Sequence, residues 1–264
     1  MPDRDELTLA NRRAVVTGAS RGIGHSIAVA LAQAGADVVV TARNEVELEQ
    51  VASQIRGLGR RSLAVPCDVT NPAQVERLAA TVQENFGGMD ILINNAGGGA
   101  SHKFLNHPDE LWQRMVALNL TSVYYVTKAF VPMLVEQRWG RIINIASTAS
   151  KTGGRYIAAY TAAKHGVLGL TRALALELAS YQITVNAVCP GYVDTPMTQA
   201  TIDNIVARTQ MTGAQARETL EKTSPQQRLI TPEEVAAVTV FLAQDISYGI
   251  TGQAINVDGG MVMF

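Results

Sequence analysis

Aromatic residues are scarce in this chain, with five Phe, two Trp and seven Tyr among 264 positions. Cysteine is scarcer still. Cys67 and Cys189 are too few to build a disulfide framework in a chain of this length, and their spacing fits no metal site, so no metal is expected. Both lie in apolar, strand-like runs, which predicts buried reduced thiols. Neither sign of charge dominates: 22 Lys and Arg face 23 Asp and Glu, for a formal net charge of −1. That balance removes the electrostatic case for a nucleic-acid or membrane-surface partner. No window approaches the roughly 20 apolar residues of a membrane span. The N-terminal stretch Met1–Glu6 is charged and carries no apolar signal-peptide core. The expectation is a soluble, cytoplasmic protein whose partner is a small molecule rather than a nucleic acid or a membrane.

What the chain does have is glycine, 22 of them, within a hydrophobic share of 47%. Many tight turns between small aliphatic elements follow from that pairing. Short β-branched runs alternate with helical-period segments from end to end. The runs are Arg13–Thr17, Asp37–Thr41, Arg61–Cys67, Ile91–Asn94, Arg141–Ala146, Thr184–Val188 and Ala254–Val257. Near-continuous Val, Ile and Leu is the pattern of strands covered on both faces of a parallel sheet. Between them one helix is expected from Ile23 to about Gly35, with that glycine as its C-cap. Another begins at Thr231-Pro232-Glu233-Glu234, with Thr as N-cap, Pro at N1 and Glu at N3. The fold class predicted is α/β, a three-layer, Rossmann-like doubly wound sheet of about seven parallel strands with helices on both faces. No linker, repeat or charge block divides residues 1–264, which predicts a single domain. One segment is irregular: Gly191–Gln227 is polar and longer than a simple crossover, and reads as a lid over the substrate site.

Gly18-Ala19-Ser20-Arg21-Gly22-Ile23-Gly24 follows the first strand and opens the first helix. Glycines there permit a turn whose backbone N–H groups approach a pyrophosphate at a helix N-terminus. The spacing is Gly-x3-Gly-x-Gly rather than the general Gly-x-Gly-x-x-Gly. The second strand ends Val40-Thr41-Ala42-Arg43, with no acid at its tip to chelate the ribose hydroxyls of NAD. The guanidinium of Arg43, with Arg21 on the other side, suits a 2′-phosphate, so NADP(H) is preferred over NAD(H). Asp68 at the end of the third strand is placed to accept from an adenine amino group, and Asn95, after the fourth, to fix a loop beside the cofactor ribose.

Tyr160 and Lys164 are four apart in a helical segment and share one face. Ser147 closes a strand thirteen residues earlier, and Asn119 is a polar residue in an apolar helical stretch spanning Leu111–Leu134. A phenol with a pKa of about 10 is a poor acid or base at neutral pH. A nearby ammonium favours the phenolate and brings it into working range. A serine hydroxyl can hold a substrate oxygen and stabilise charge developing on it. Taken alone, Tyr-x3-Lys is a common surface pair; the argument rests on four residues in order around a glycine turn.

On Thr17–Gly24, Asn94–Gly97, Asn119, Ser147, Tyr160-x3-Lys164 and Pro190-Gly191, the sequence resembles the short-chain dehydrogenase/reductase family in its one-domain form, from about Asn11 to Met263. The resemblance implies Tyr160 as general acid/base and Ser147 as the group that orients and polarises the carbonyl. Lys164 would bind the nicotinamide ribose and lower the pKa of Tyr160, and Asn119 would position a water in the proton relay. The cofactor site so implied comprises Gly18, Ser20, Arg21, Gly22, Ile23, Gly24, Arg43, Asp68, Val69, Asn95, Ala96, Gly97, Tyr160, Lys164, Pro190, Gly191, Val193 and Thr195. The stretches around Ser147, Lys164 and Pro190 look most like 3-oxoacyl-thioester and polyketide ketoreductases, and next like 3-hydroxybutyrate dehydrogenases. The resulting expectation is NADPH-dependent reduction of a ketone to a secondary alcohol, with a steroid or small-alcohol dehydrogenase as an alternative. An enoyl reductase relative would separate Tyr and Lys by six residues rather than three, and a non-catalytic NADP-sensing regulator would lack the tetrad. His165 is read as structural, and His102 and Lys103 as a solvated loop. A homotetramer is implied, paired through the Leu111–Leu134 and Tyr160 helices and the apolar tail Gly259–Phe264.

Overall fold

The structure, a computed structural model, describes residues 8–264, so Met1–Glu6 lies outside the described residues. Seven strands form one sheet in which every paired neighbour is parallel: β1 (Arg13–Thr17), β2 (Asp37–Ala42), β3 (Ser62–Pro66), β4 (Ile91–Asn94), β5 (Gly140–Ile145), β6 (Ile183–Pro190) and β7 (Ala254–Val257). Their order across the sheet is β3-β2-β1-β4-β5-β6-β7. The winding reverses between β1 and β4, and the crevice at the carboxyl ends of those strands is where such sheets take a ligand.

Alternation along each strand explains why both faces must be covered. Val16, Val38, Val40, Ile91, Ile93 and Ile143 point into one apolar layer, while Val15, Val39, Leu92 and Ile142 point into the other. The first layer is closed by α1 (Gly22–Gln33), α2 (Glu45–Gly57) and α9 (Pro232–Ala243), through Ile27, Leu48 and Val235 among others. The second is closed by α3 (Pro72–Phe86), α5 (Ser122–Gln137) and α6 (Ala158–Leu178), through Leu78, Phe130 and Leu178. Small aliphatic side chains fill both layers, which is why so few aromatics suffice. Cys67 and Cys189 are buried and unpaired.

Helix ends follow the local signals. The Thr231–Glu234 capping box is formed, with Pro232 at the start of α9. Helix α1 begins one residue earlier than expected, and Gly35 lies one residue beyond its C-cap Ala34, in a left-handed conformation (φ 108°). The stretch expected as one helix over Leu111–Leu134 is three pieces. Helix α4 (Asp109–Val116) runs into a π-helical turn (Ala117–Thr121) and then into α5. A continuous apolar pattern cannot show a change from i→i+4 to i→i+5 bonding.

The irregular segment is not a loop. It holds α7 (Pro196–Arg208) and α8 (Gly213–Glu221), the latter opened by a Thr212–Gln215 capping box. Ile202, Ala216, Leu220 and Leu229 give these helices a small apolar cluster separate from the main layers. Their few apolar positions are widely spaced, so the periodicity was too thin to announce two helices. The segment leaves and re-enters side by side: Val193 bridges Ile230, Ile230 N–H donates to Tyr192 O at 2.9 Å, and Asp194 N–H donates to Ile230 O at 2.8 Å.

Candidate active site

At the carboxyl end of β1 the chain turns through Gly18 (φ 64°) and Gly22 (φ 57°) into α1. This turn closes on the loop after β4. A Cβ on Gly24 would lie 2.3 Å from Gly18 O and 2.4 Å from Asn95 Nδ2, so only glycine fits. Asn95 Nδ2 donates to Thr17 O (2.9 Å) and Gly18 O (3.1 Å). Thr17 Oγ1 accepts from the N–H groups of Asn95 (3.0 Å) and Ala96 (3.1 Å) and donates to Ile93 O (3.2 Å). The third edge of the turn is Thr195, whose methyl would be 3.2 Å from a Cβ on Gly22. Gly18, Gly22, Gly24, Asn95, Ala96 and Thr195 are thus brought together as one cradle, with the N-terminus of α1 opening onto it. Ser20 and Ile23 are half-buried within the same turn.

Arg21 and Arg43 are exposed, and neither forms an ion pair among the described residues. The guanidinium of Arg43 is near enough to Asp68 to favour its carboxylate. Hydrogen bonds from the Thr70 hydroxyl and N–H contribute most to that lowered pKa, and both fall on Asp68 Oδ1. Val69 is buried beside it, as Val193 is at the end of β6. Gly191 follows Pro190 and packs against Asp258, 3.2 Å from a would-be Cβ. These residues fit a dinucleotide: a glycine cradle a side chain would fill, a helix N-terminus for the pyrophosphate, and two exposed guanidinium groups that make no ion pair among the described residues.

Helix α6 brings the chemistry to the same crevice. Lys164 is buried, its Nζ donates to Ile145 O at 2.8 Å, and it stands 5.8 Å from the centre of the Tyr160 ring. Burial brings the Lys164 pKa down to about 8. Ser147 follows β5, and its Oγ accepts from Ala149 N–H (3.1 Å). That hydroxyl also faces the Tyr160 phenol and favours its ionised form, but burial has the larger effect and raises the Tyr160 pKa. Desolvation of the phenol wins, and the protonated form, the one able to donate to a carbonyl oxygen, is favoured.

Asn119 lies in the π turn, fully buried. Its Oδ1 accepts from Gly98 N–H (3.0 Å), and its Nδ2 donates to Gly98 O (2.9 Å) and Met115 O (3.0 Å). The side chain of Asn119, the residue expected to position a water, is committed to the loop after β4, where Gly97 leaves it room: a Cβ there would be 2.9 Å from Asn119 Oδ1 and 3.7 Å from Lys164 Nζ. His165 is exposed and its Nδ1 contacts Thr161 O at 2.9 Å, away from the site. His102 and Lys103 are in a surface loop.

Two further neighbours complete the site. Thr17 ends the apolar run Ala14–Val16 of β1, a polarity break that marks it as a clamp. Tyr192, directly after Pro190-Gly191, is near enough to disfavour ionisation of Tyr160, and burial raises its own pKa.

A sheet that reverses at a glycine cradle, with a Ser, Tyr and Lys at its carboxyl ends, defines a dinucleotide-dependent oxidoreductase acting on CH–OH or C=O groups. A family model described as enoyl-(acyl carrier protein) reductase matches residues 18–262, and the chain belongs to that family, the short-chain dehydrogenases/reductases. A 3-oxoacyl-[acyl-carrier-protein] reductase of Synechocystis is 43% identical over 253 residues, 95% of this chain and 97% of that protein. A D-beta-hydroxybutyrate dehydrogenase of Rhizobium meliloti is 39% identical over 252 residues, 94% of this chain and 98% of its own length. Among solved structures, a variant of the actinorhodin polyketide ketoreductase with NADPH superposes with a TM-score of 0.93 at 39% identity, covering both chains fully.

The lowered pKa of Lys164 makes a pH prediction. Its ammonium is intact below about pH 8 and is lost above it, while the raised pKa of Tyr160 keeps the phenol protonated. In carbonyl reduction, kcat/KM is expected to be level up to about pH 8 and to fall roughly tenfold per unit beyond. In the residual activity of Lys164→Arg, whose charge persists, that limb moves to higher pH. An unmoved limb rejects Lys164 as its source.

Proposed function

We propose that this protein uses NADPH to reduce the ketone of a 3-oxoacyl or polyketide-type substrate to a secondary alcohol. The observation that carries the reading is the meeting of Ser147, Tyr160 and buried Lys164 with the glycine cradle at the carboxyl ends of β1, β4, β5 and β6. The 3-oxoacyl reductase and ketoreductase relatives support the substrate class.

When bound, the reduced nicotinamide supplies a hydride to the carbonyl carbon. The chain's own groups do the rest. Ser147 Oγ donates a hydrogen bond to the substrate oxygen, fixing its direction and stabilising the charge that develops there. The Tyr160 phenol, kept protonated by its burial, gives its proton to that oxygen. Lys164 holds the ribose hydroxyls while its ammonium stabilises the phenolate left behind. With its side chain spent on Gly98, Asn119 holds the loop after β4, and positioning a water falls to its main chain. Pro190, Gly191, Val193 and Thr195 wall the nicotinamide end, and Arg21 and Arg43 take the 2′-phosphate. Residues 191–227 act as a lid on this single domain, tied to the opposite rim by Asn204 Nδ2 donating to Ser101 Oγ at 3.1 Å.

The hydroxybutyrate dehydrogenase relative favours a second reading, oxidation of a small 3-hydroxy acid. A strand β2 that ends in Ala42-Arg43 without a carboxylate weighs for NADP(H) and the reductive reading. The two unpaired, buried thiols fit the cytoplasm. We assign a homotetramer, closed through the α4–α6 faces and through the tail, where Met263 and Phe264 are exposed.

Tyr160→Phe is expected to lower kcat by about three orders of magnitude or more with NADPH binding retained. Full activity in that variant on a 3-oxoacyl N-acetylcysteamine thioester overturns the assignment. Arg43→Asp should raise the KM for NADPH by about tenfold to a hundredfold and leave that for NADH nearly unchanged. An unchanged ratio removes the 2′-phosphate role. Light scattering at micromolar concentration should report a tetramer, and a monomer contradicts it.

A further inference from the structure

A buried polar chain runs through the second apolar layer beneath the site. Asn94 on β4 uses both of its amide hydrogens, one toward Thr127 Oγ1 on α5 and one toward Asn144 Oδ1 on β5, each at 2.9 Å. Asn144 Nδ2 in turn donates to Thr171 Oγ1 on α6 at 2.9 Å. The Thr171 hydroxyl passes its own hydrogen back to Val167 O at 2.8 Å. All four side chains are buried, with exposures of 3% (Asn94), 3% (Thr127), 1% (Asn144) and 1% (Thr171). Donation runs outward from Asn94, to Thr127 on one side and through Asn144 and Thr171 to the Val167 carbonyl on the other.

Uncharged amides in the interior of a fully buried strand are costly unless each partner is met, and here they join the elements that carry the chemistry. Asn94 adjoins Asn95, the clamp on the glycine turn. Asn144 lies three residues before Ser147 and directly before Ile145, whose carbonyl holds Lys164. Thr171 lies seven residues after Lys164, two helical turns along the same face. The inner face of α6 is otherwise smooth: Ala159, Ala163, Val167, Leu168, Ala175 and Leu178 offer few ridges to stop the helix sliding on the sheet. A second polar tie between α6 and β5 is Lys164, which also has duties in the reaction.

We propose that Asn144 and Thr171 are positioning residues, which set the register of α6 on β5 and thereby the placement of Tyr160 and Lys164 opposite Ser147. The proposal rests on the catalytic roles given above. It separates two functions of α6, with Lys164 serving the chemistry and Thr171 the placement.

The test compares Thr171→Ala with Thr171→Ser, which both lack the methyl and differ only in the hydroxyl. NADPH and a 3-oxoacyl N-acetylcysteamine thioester are the probes, at a temperature where circular dichroism shows both variants folded. Thr171→Ser is expected to match the parent. Thr171→Ala should lose about tenfold in kcat with KM and the NADPH dissociation constant within about twofold. The alkaline limb of its pH profile should move by about half a unit as Lys164 shifts against the Ile145 carbonyl and its burial changes. Thr171→Val, which keeps the shape of the side chain, gives the same comparison if the alanine variant does not fold. Equal kcat and equal pH profiles in the hydroxyl-bearing and hydroxyl-free variants overturn the proposal, whatever their melting temperatures. Tyr160→Phe run in parallel separates the two claims. If it is inactive while Thr171→Ala equals Thr171→Ser, only the positioning role fails; if it is active, the catalytic reading fails as well.

Discussion

A hydroxyl and an amide at the junction of β1 and β4 hold the crevice in shape. Thr17 Oγ1 receives the N–H groups of Asn95 and Ala96, and Asn95 Nδ2 is spent on Thr17 O and Gly18 O. Where the sheet reverses its winding, the strands would otherwise end in divergent loops. The clamp instead draws the loop after β4 onto the glycine turn so closely that Gly18 and Gly24 admit no side chain. The cradle for a dinucleotide is a consequence of that approach. Asn119 repeats the device one layer out, gripping Gly98 from a π turn, so the loop is held from both sides.

Burial then sets the electrostatics. Taking the phenol and the ammonium out of water drives their pKa values apart, Tyr160 upward and Lys164 down to about 8. The free protein is thus biased toward a protonated tyrosine, suited to giving a proton to a carbonyl oxygen. The spacing of Tyr160 and Lys164 shows that they share a helix face, but not how deeply the phenol is buried, and burial is the largest influence on it.

Much of the fold could be read from residues. The near-continuous Val and Ile runs placed all seven strands to within one or two residues, and Thr231-Pro232-Glu233-Glu234 placed the start of α9. The glycine turn and the Tyr160–Lys164 pair are legible because their spacings are local. What escaped was non-local or only weakly patterned. Nothing in Leu118-Asn119-Leu120 announces a π turn, and the Asn119 side chain finds its partner twenty-one residues away in sequence. Residues 191–227 form two helices on a handful of apolar positions, Ile202, Ala216 and Leu220 among them, which is too sparse a pattern to separate helix from loop. Asn94 and Asn144 read as strand residues, and only the register β4 against β5 reveals that they face one another.

The central claim, direct hydride delivery to a ketone at this crevice, is tested most directly by isotope transfer. NADPH carrying deuterium at both C4 positions of the nicotinamide is incubated with the protein and a 3-oxoacyl N-acetylcysteamine thioester, and the alcohol is analysed by mass spectrometry and NMR. The account predicts one deuterium, on the carbinol carbon. An alcohol without deuterium, or no alcohol from a protein that binds NADPH, contradicts it.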